Sequence, residues 1–169
     1  GTFSLTITAV NDAPLLDNSG TMTLTTITED QTTNSGQTIA SIIGSAGGDR
    51  ITDVDTAAIE GIAITSLTNG NGTWQYSTNG GSSWQNAGLV SDASALLLRS
   101  TDLIRFVPDA MNSTTGSFTF RAWDQSGVTA GQQGTKVNAS TNGGSTAFST
   151  ATETASITVT AVNDSPVVT

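Results

Sequence analysis

Oxygen-bearing side chains in short, ordered groups are the residues of this chain whose types and spacing suggest chemistry. Asn11-Asp12 and Asn163-Asp164 sit at equivalent places in two near-copies of one segment, and Glu29, Asp53-Val54-Asp55 and Asp124 lie between them. Carboxylates two residues apart on extended chain point to the same side, as Asp53 and Asp55 would. Converging carboxylates repel by about 4 kcal/mol per pair at roughly 4 Å and an effective dielectric near 20. A hard divalent cation reverses that sign, and calcium takes roughly six to eight such oxygens. These acids and amides are therefore candidate calcium ligands, against the plainer reading of solvated loop acids in an acidic protein. A second candidate is aromatic: Trp74, Tyr76 and Trp84 flank a Gly-rich turn and would offer faces for stacking on a sugar. The plainer reading there is a turn tied by its own side chains, with the tryptophans in the core.

Composition removes most alternatives. Histidine and cysteine are both absent, which excludes thiolate and imidazole metal sites, the commonest general base, Ser-His arrangements and disulfides. The enzyme class is thereby disfavoured. Fourteen acids against five bases give a formal charge of -9, so phosphate-backbone binding to nucleic acid is not expected. No apolar run approaches a membrane span, and no membrane insertion is expected. An acidic, Cys-free, Thr/Ser-rich chain suits a bacterial exterior, secreted or at the cell surface.

The elements that must position these residues read as strands. Ser4 to Ala9 and Ser156 to Ala161 alternate apolar and small polar residues, and each ends at Asn-Asp-x-Pro, the pattern of a half-buried strand running into a stiffened linker. Asn163 lies 152 residues after Asn11, the period expected of a tandem array. Residues 1–14 read as the last strand and linker of a preceding repeat, 15–162 as one repeat, and 163–169 as the linker to the next. Within the repeat, strands are expected at Thr21 to Thr28, Gly36 to Ile43, Gly61 to Leu67, on both sides of the turn between Trp74 and Trp84, at Ile104 to Pro108, Ser117 to Trp123 and Thr154 to Ala161. Ser91 to Leu98 fits a helical turn or a short strand equally. Phe118, Phe120 and Ala122 share one face, which Asp124 continues. Gly44 to Arg50 is a loop, and Gly127 to Ser149 is a second hairpin or a protruding loop. Arg105 and Arg121 are expected to pair on an outer sheet face. About eight strands at this spacing predict an all-β sandwich of immunoglobulin/cadherin type with extra β-hairpins.

At these residues the chain resembles the cadherin-like tandem repeats of large bacterial surface adhesins, extender domains of the repeats-in-toxin type. The resemblance rests on Val-Asn-Asp-x-Pro at Val10 to Pro14 and Val162 to Pro166, on Glu29 followed by Gly36-Gln37-Thr38-Ile39, on Asp53 and Asp55, and on Phe-x-Phe-x-Ala-x-Asp ending at Asp124. It implies calcium as cofactor at the junctions between repeats, adjacent repeats of the same chain as partners, and a role in cell adhesion and biofilm formation. Carried over by residue, Asp53, Asp55 and Asp124 would share calcium with Asn11 and Asp12, while Glu29 would serve the junction at Asn163 and Asp164. Asp12 and Asp164 stand two residues before proline, which shortens the linker relative to the family pattern. Separately, Ser77-x-Asn79-x-Gly81-x-x-Trp84 resembles the Asp-box hairpin of sialidases. The alternative function is a carbohydrate- or peptide-binding module, built from Trp74, Tyr76, Trp84 and the 127–149 loop, whose partner would be a cell-surface glycan or protein.

Overall fold

The computed structural model describes residues 2–166. In chain order the strands are β1 (Leu15–Leu16), β2 (Met22–Thr23), β3 (Ile27–Thr28) and β4 (Gln37–Thr38), then the helix α1 (Ile39–Gly44) and β5 (Ile51–Thr52). There follow β6 (Gly61–Thr68), β7 (Gly72–Ser77), β8 (Gln85–Asn86), β9 (Ala95–Arg99), β10 (Leu103–Pro108), β11 (Thr114–Trp123), β12 (Lys136–Val137) and β13 (Glu153–Thr160). A large sheet has the order β12-β9-β6-β11-β13-β2, with β3 also on β13, and faces a smaller sheet β4-β10-β7-β8. β1 and β5 make a separate two-stranded ribbon. The protein is an all-β sandwich.

The core lies where alternation predicts it. Phe118, Phe120 and Ala122 of β11 point inward with Ile157 and Val159 of β13, against Trp74, Ile104 and Phe106 of the smaller sheet. Trp74 ties the layers together, meeting Phe106 at 5.1 Å and Phe118 at 5.3 Å in edge-on geometry. Such pairs add about 0.5–1.5 kcal/mol beyond the area they bury.

Several expectations change. Residues 4–9 form no strand. No described strand lies beside them, and Leu5 and Ile7 stay exposed, whereas the equivalent Ile157 and Val159 are buried between β11 and the parallel β2 and β3. Thr21 to Thr28 is two short pieces, because the Thr25 N–H turns away to Gln37 Oε1 at 2.6 Å. Only Gln37–Thr38 of the 36–43 segment pairs as a strand. Thr38 then caps α1 by accepting from the Ser41 N–H, and Ile39, Ile42 and Ile43 turn one helical face into the core. Ser91 to Leu98 resolves toward strand, at Ala95–Arg99. Arg105 and Arg121 sit on different sheets: Arg105 bonds Gln75 and covers the Trp84 ring at 4.1 Å, and Arg121 pairs with Asp92.

The segment 127–149 does not protrude. It folds back over the outer face of the large sheet, where Ala139, Ala147 and Phe148 bury Trp123, Ala63 and Leu97. The Trp123 indole N–H donates to Thr129 Oγ1 at 2.8 Å, and the Ser149 hydroxyl accepts from the Ala122 N–H. Both faces of β9, and of β6 from Gly61 to Thr65, are therefore covered.

Candidate metal centre

Two ends of the sandwich carry the candidate ligands. At the upper end β11 finishes, β6 begins and the chain enters from residue 11; at the lower end β13 finishes. Asp53 and Asp55 are not on extended strand. The Asp53 side chain folds back so that Oδ1 accepts the Asp55 N–H at 2.8 Å, the local bond by which aspartate makes turns. Asp55 Oδ2 in turn accepts the Asp12 N–H at 2.8 Å. Asp124, just past β11, accepts the Ser126 N–H on Oδ1 and the Asn11 Nδ2–H on Oδ2 at 2.9 Å. Hydrogen bonds thus link Asp53, Asp55 and Asp12 in one chain and Asn11 to Asp124 beside it.

The lower end is built around one acid. Glu29 is 2% exposed, against an exposed Asp30. Its backbone N–H donates to the Thr160 carbonyl at 3.0 Å, and its Oε1 accepts the Val162 N–H at 2.8 Å. The segment leading to Asn163 and Asp164 is thereby fixed to the domain. Asn163 Nδ2 donates to the Asp164 carbonyl at 3.3 Å, as Asn11 Nδ2 does to the Asp12 carbonyl at 3.0 Å. The same local bond recurs in both copies of the motif.

Among the described residues no three carboxylates converge on one point as a ready cation cage. Five of the twelve carboxylate oxygens of Asp12, Glu29, Asp53, Asp55, Asp124 and Asp164 accept an N–H. Two candidate-ligand oxygens differ: Glu29 Oε2 and Asp53 Oδ2 are buried without a hydrogen-bond partner. Asp53 faces a cleft of about 280 Å³ that Asp49, Asp55, Glu60 and Asp124 also line. Burial raises the Glu60 carboxyl above its ordinary value, and the Asp49 charge adds to the rise. Glu153 Oε2, at the start of β13, is likewise buried and unpartnered.

Four contributors escape sequence reasoning. Asn11 Nδ2 also donates to the Thr146 carbonyl at 3.1 Å, and the Ala13 N–H donates to the Gly144 carbonyl at 2.8 Å. The second Asn-Gly-Gly turn therefore holds the incoming linker; its only signal is the echo of the first. Asp49 and Glu60, isolated in sequence, reach the cleft through the turns before β5 and β6.

The aromatic candidates separate. Trp74 and Tyr76 are core residues, with the indole N–H on the Thr68 carbonyl and the phenol on the Gly134 carbonyl. Trp84 alone of the three is half-buried. Within the adjoining turn, Gly81 N–H donates to Ser77 Oγ and Ser83 N–H to Asn79 Oδ1, so its polar side chains tie the turn. Among the described residues no helix is long and apolar enough to cross a membrane. Comparison with protein-family models, with curated proteins and with solved structures finds no match to this chain.

Proposed function

We propose that the chain is a calcium-binding structural repeat, an extender of cadherin-like type in a secreted or surface-anchored bacterial adhesin, stiffened at its junctions to support adhesion and biofilm formation. One observation carries the reading: a buried carboxylate oxygen without a partner stands beside each copy of the Asn-Asp-x-Pro motif, Asp53 Oδ2 above and Glu29 Oε2 below. An unmet buried acceptor costs about 1–3 kcal/mol. A hard cation is the partner that an all-oxygen set without histidine or cysteine fits best.

At the upper end Asp12, Asp53, Asp55, Asp124 and the amide oxygen of Asn11 would hold the ion; at the lower end Glu29, Asn163 and Asp164 would do so. Calcium supplies a charge-neutralising cross-link there between linker and domain. The residues themselves already orient the linker, through Asp55 on the Asp12 N–H and Glu29 on the Val162 N–H. Titration calorimetry with calcium, magnesium as control, tests the proposal. Calcium-selective heat that Asp124→Asn and Glu29→Gln each reduce supports it; no heat with calcium overturns it.

A further inference from the structure

Val162 and Asn163 are neighbours in the chain, yet the repeat anchors them to different units. The Val162 N–H is held by Glu29 of its own lower end at 2.8 Å. The residue in the position of Asn163 is Asn11, whose side chain is held by Asp124 and Thr146 of the upper end that follows it. One Cα–Cα step of about 3.8 Å therefore separates the last residue gripped by one unit from the first gripped by the next. No free linker remains between the two grips, which brings the two end faces close together.

Both faces carry exposed apolar side chains that nothing else covers. Val54 and Ile59, 81% and 61% exposed, rim the upper face beside Val10, Ala57 and Ala58. On the lower face Met111 is 69% exposed, at the tip of the turn between β10 and β11. That turn is rigid: Asp109 Oδ1 accepts from the Met111 and Asn112 N–H groups, and Asp109 Oδ2 from the Asn112 amide. The described non-glycine residues with left-handed backbone are Ala57 (φ 67), Gln125 (φ 61) and Ala110 (φ 63), all on these two faces. Strain of this kind, on the order of 1–3 kcal/mol each, collects where a surface is shaped for a partner.

We propose that the Val54–Ile59 rim seats the Met111 turn of the preceding copy of this fold, so that consecutive units abut through an apolar contact. The proposal rests on the repeat reading given above. Both faces also bear acids, Asp12, Asp55 and Asp124 against Asp30 and Asp109. Like charges oppose the contact unless a cation screens them, so it forms with calcium.

Methionine oxidation tests this directly, since the chain has two methionines and Met22 is 0% exposed. A tandem protein joins two copies with Val162 of the first followed by Asn11 of the second, and carries Met111→Leu in the second copy. Peroxide oxidation of the first copy's Met111 is followed by mass spectrometry, with Met22 reporting any unfolding. In calcium it should be at least about fivefold slower than in the single chain, by loss of exposure on contact. Val54→Asp with Ile59→Asp in the second copy, both at exposed positions, should restore the single-chain rate. Oxidation at the single-chain rate in calcium, while calcium still raises the melting temperature, overturns the abutment and leaves the junction-metal reading standing. Slow oxidation in calcium and in chelator alike upholds the contact and counts against the metal reading. Slow oxidation that the rim variant leaves unchanged overturns the seating on Val54 and Ile59.

Discussion

Glu29→Gln separates a metal ligand from a purely structural carboxylate. The side chains have the same shape, and the glutamine carbonyl still accepts the Val162 N–H that Glu29 holds at 2.8 Å. What changes is the buried second oxygen, which has no partner; glutamine puts an equally unmatched amide group there. In chelator the two errors nearly cancel. The expected difference is within about 1 kcal/mol, or about 2–4 °C in melting temperature for a chain of this size. In calcium the balance shifts. At a hundred times its dissociation constant an ion adds about 2.7 kcal/mol, or about 5–11 °C at the same conversion, and the variant forfeits it. Differential scanning calorimetry of both proteins in calcium and in chelator measures the double difference. If the calcium-induced rise is the same in both, Glu29 does no more than tie down Val162.

Other consequences are read in chelator, without the metal. Phe148→Ala empties the layer that covers Trp123 on the outer face; a loss of about 3–5 kcal/mol in urea unfolding is expected, and a loss under about 1 kcal/mol would mean that the 127–149 segment is not part of the core. Asn11→Ala removes bonds to Asp124 and Thr146, worth about 1–3 kcal/mol, so hydrogen exchange at the Asp12 and Ala13 amides should speed up by about ten- to a hundredfold. Unchanged exchange would show that these bonds do not hold the linker. Glu60, whose carboxyl is raised by burial and by Asp49, binds its proton more tightly folded than unfolded. Its contribution to stability is greatest below the ordinary value of 4.5 and is lost as pH rises through the raised value. Glu60→Gln should flatten that decline in melting temperature, and an identical pH profile would refute the assignment.

Strands whose one face is wet were legible, because alternation records which side is covered: β10, β11 and β13 fall within a few residues of where the pattern places them. Two features were harder to see. Ile62-Ala63-Ile64 and Leu96-Leu97-Leu98 are continuous apolar runs, the mark of strands buried on both faces, but the layer that covers their outer face comes from the polar, Gly-rich 127–149 segment, which reads as a hairpin or protruding loop. The helix after Thr38 was hidden by β-branched residues, although a capping threonine followed by isoleucines at 39, 42 and 43 is a helical spacing. The residues proposed as ligands stand out in the sequence only as residue types in order, acids and amides beside a repeated Asn-Asp-x-Pro. Their mutual contacts were not legible: Gly144 and Thr146 act through backbone carbonyls, which every residue has. The choice of Glu29 over Asp30 depended on burial that only the packing of β3 against β13 decides.

Thermal unfolding across a calcium titration, with magnesium and chelator as controls and Asp53→Asn as the site variant, is the most direct measurement of the proposed role. Asp53 Oδ2 is the unpartnered oxygen of the upper cleft, so the upper ion should add about 3–11 °C between ten and a hundred times its dissociation constant, magnesium should give little, and the variant should lose that share of the calcium-induced rise while keeping the share of the lower ion. Melting temperatures that ignore calcium in both proteins would contradict a calcium-stabilised junction.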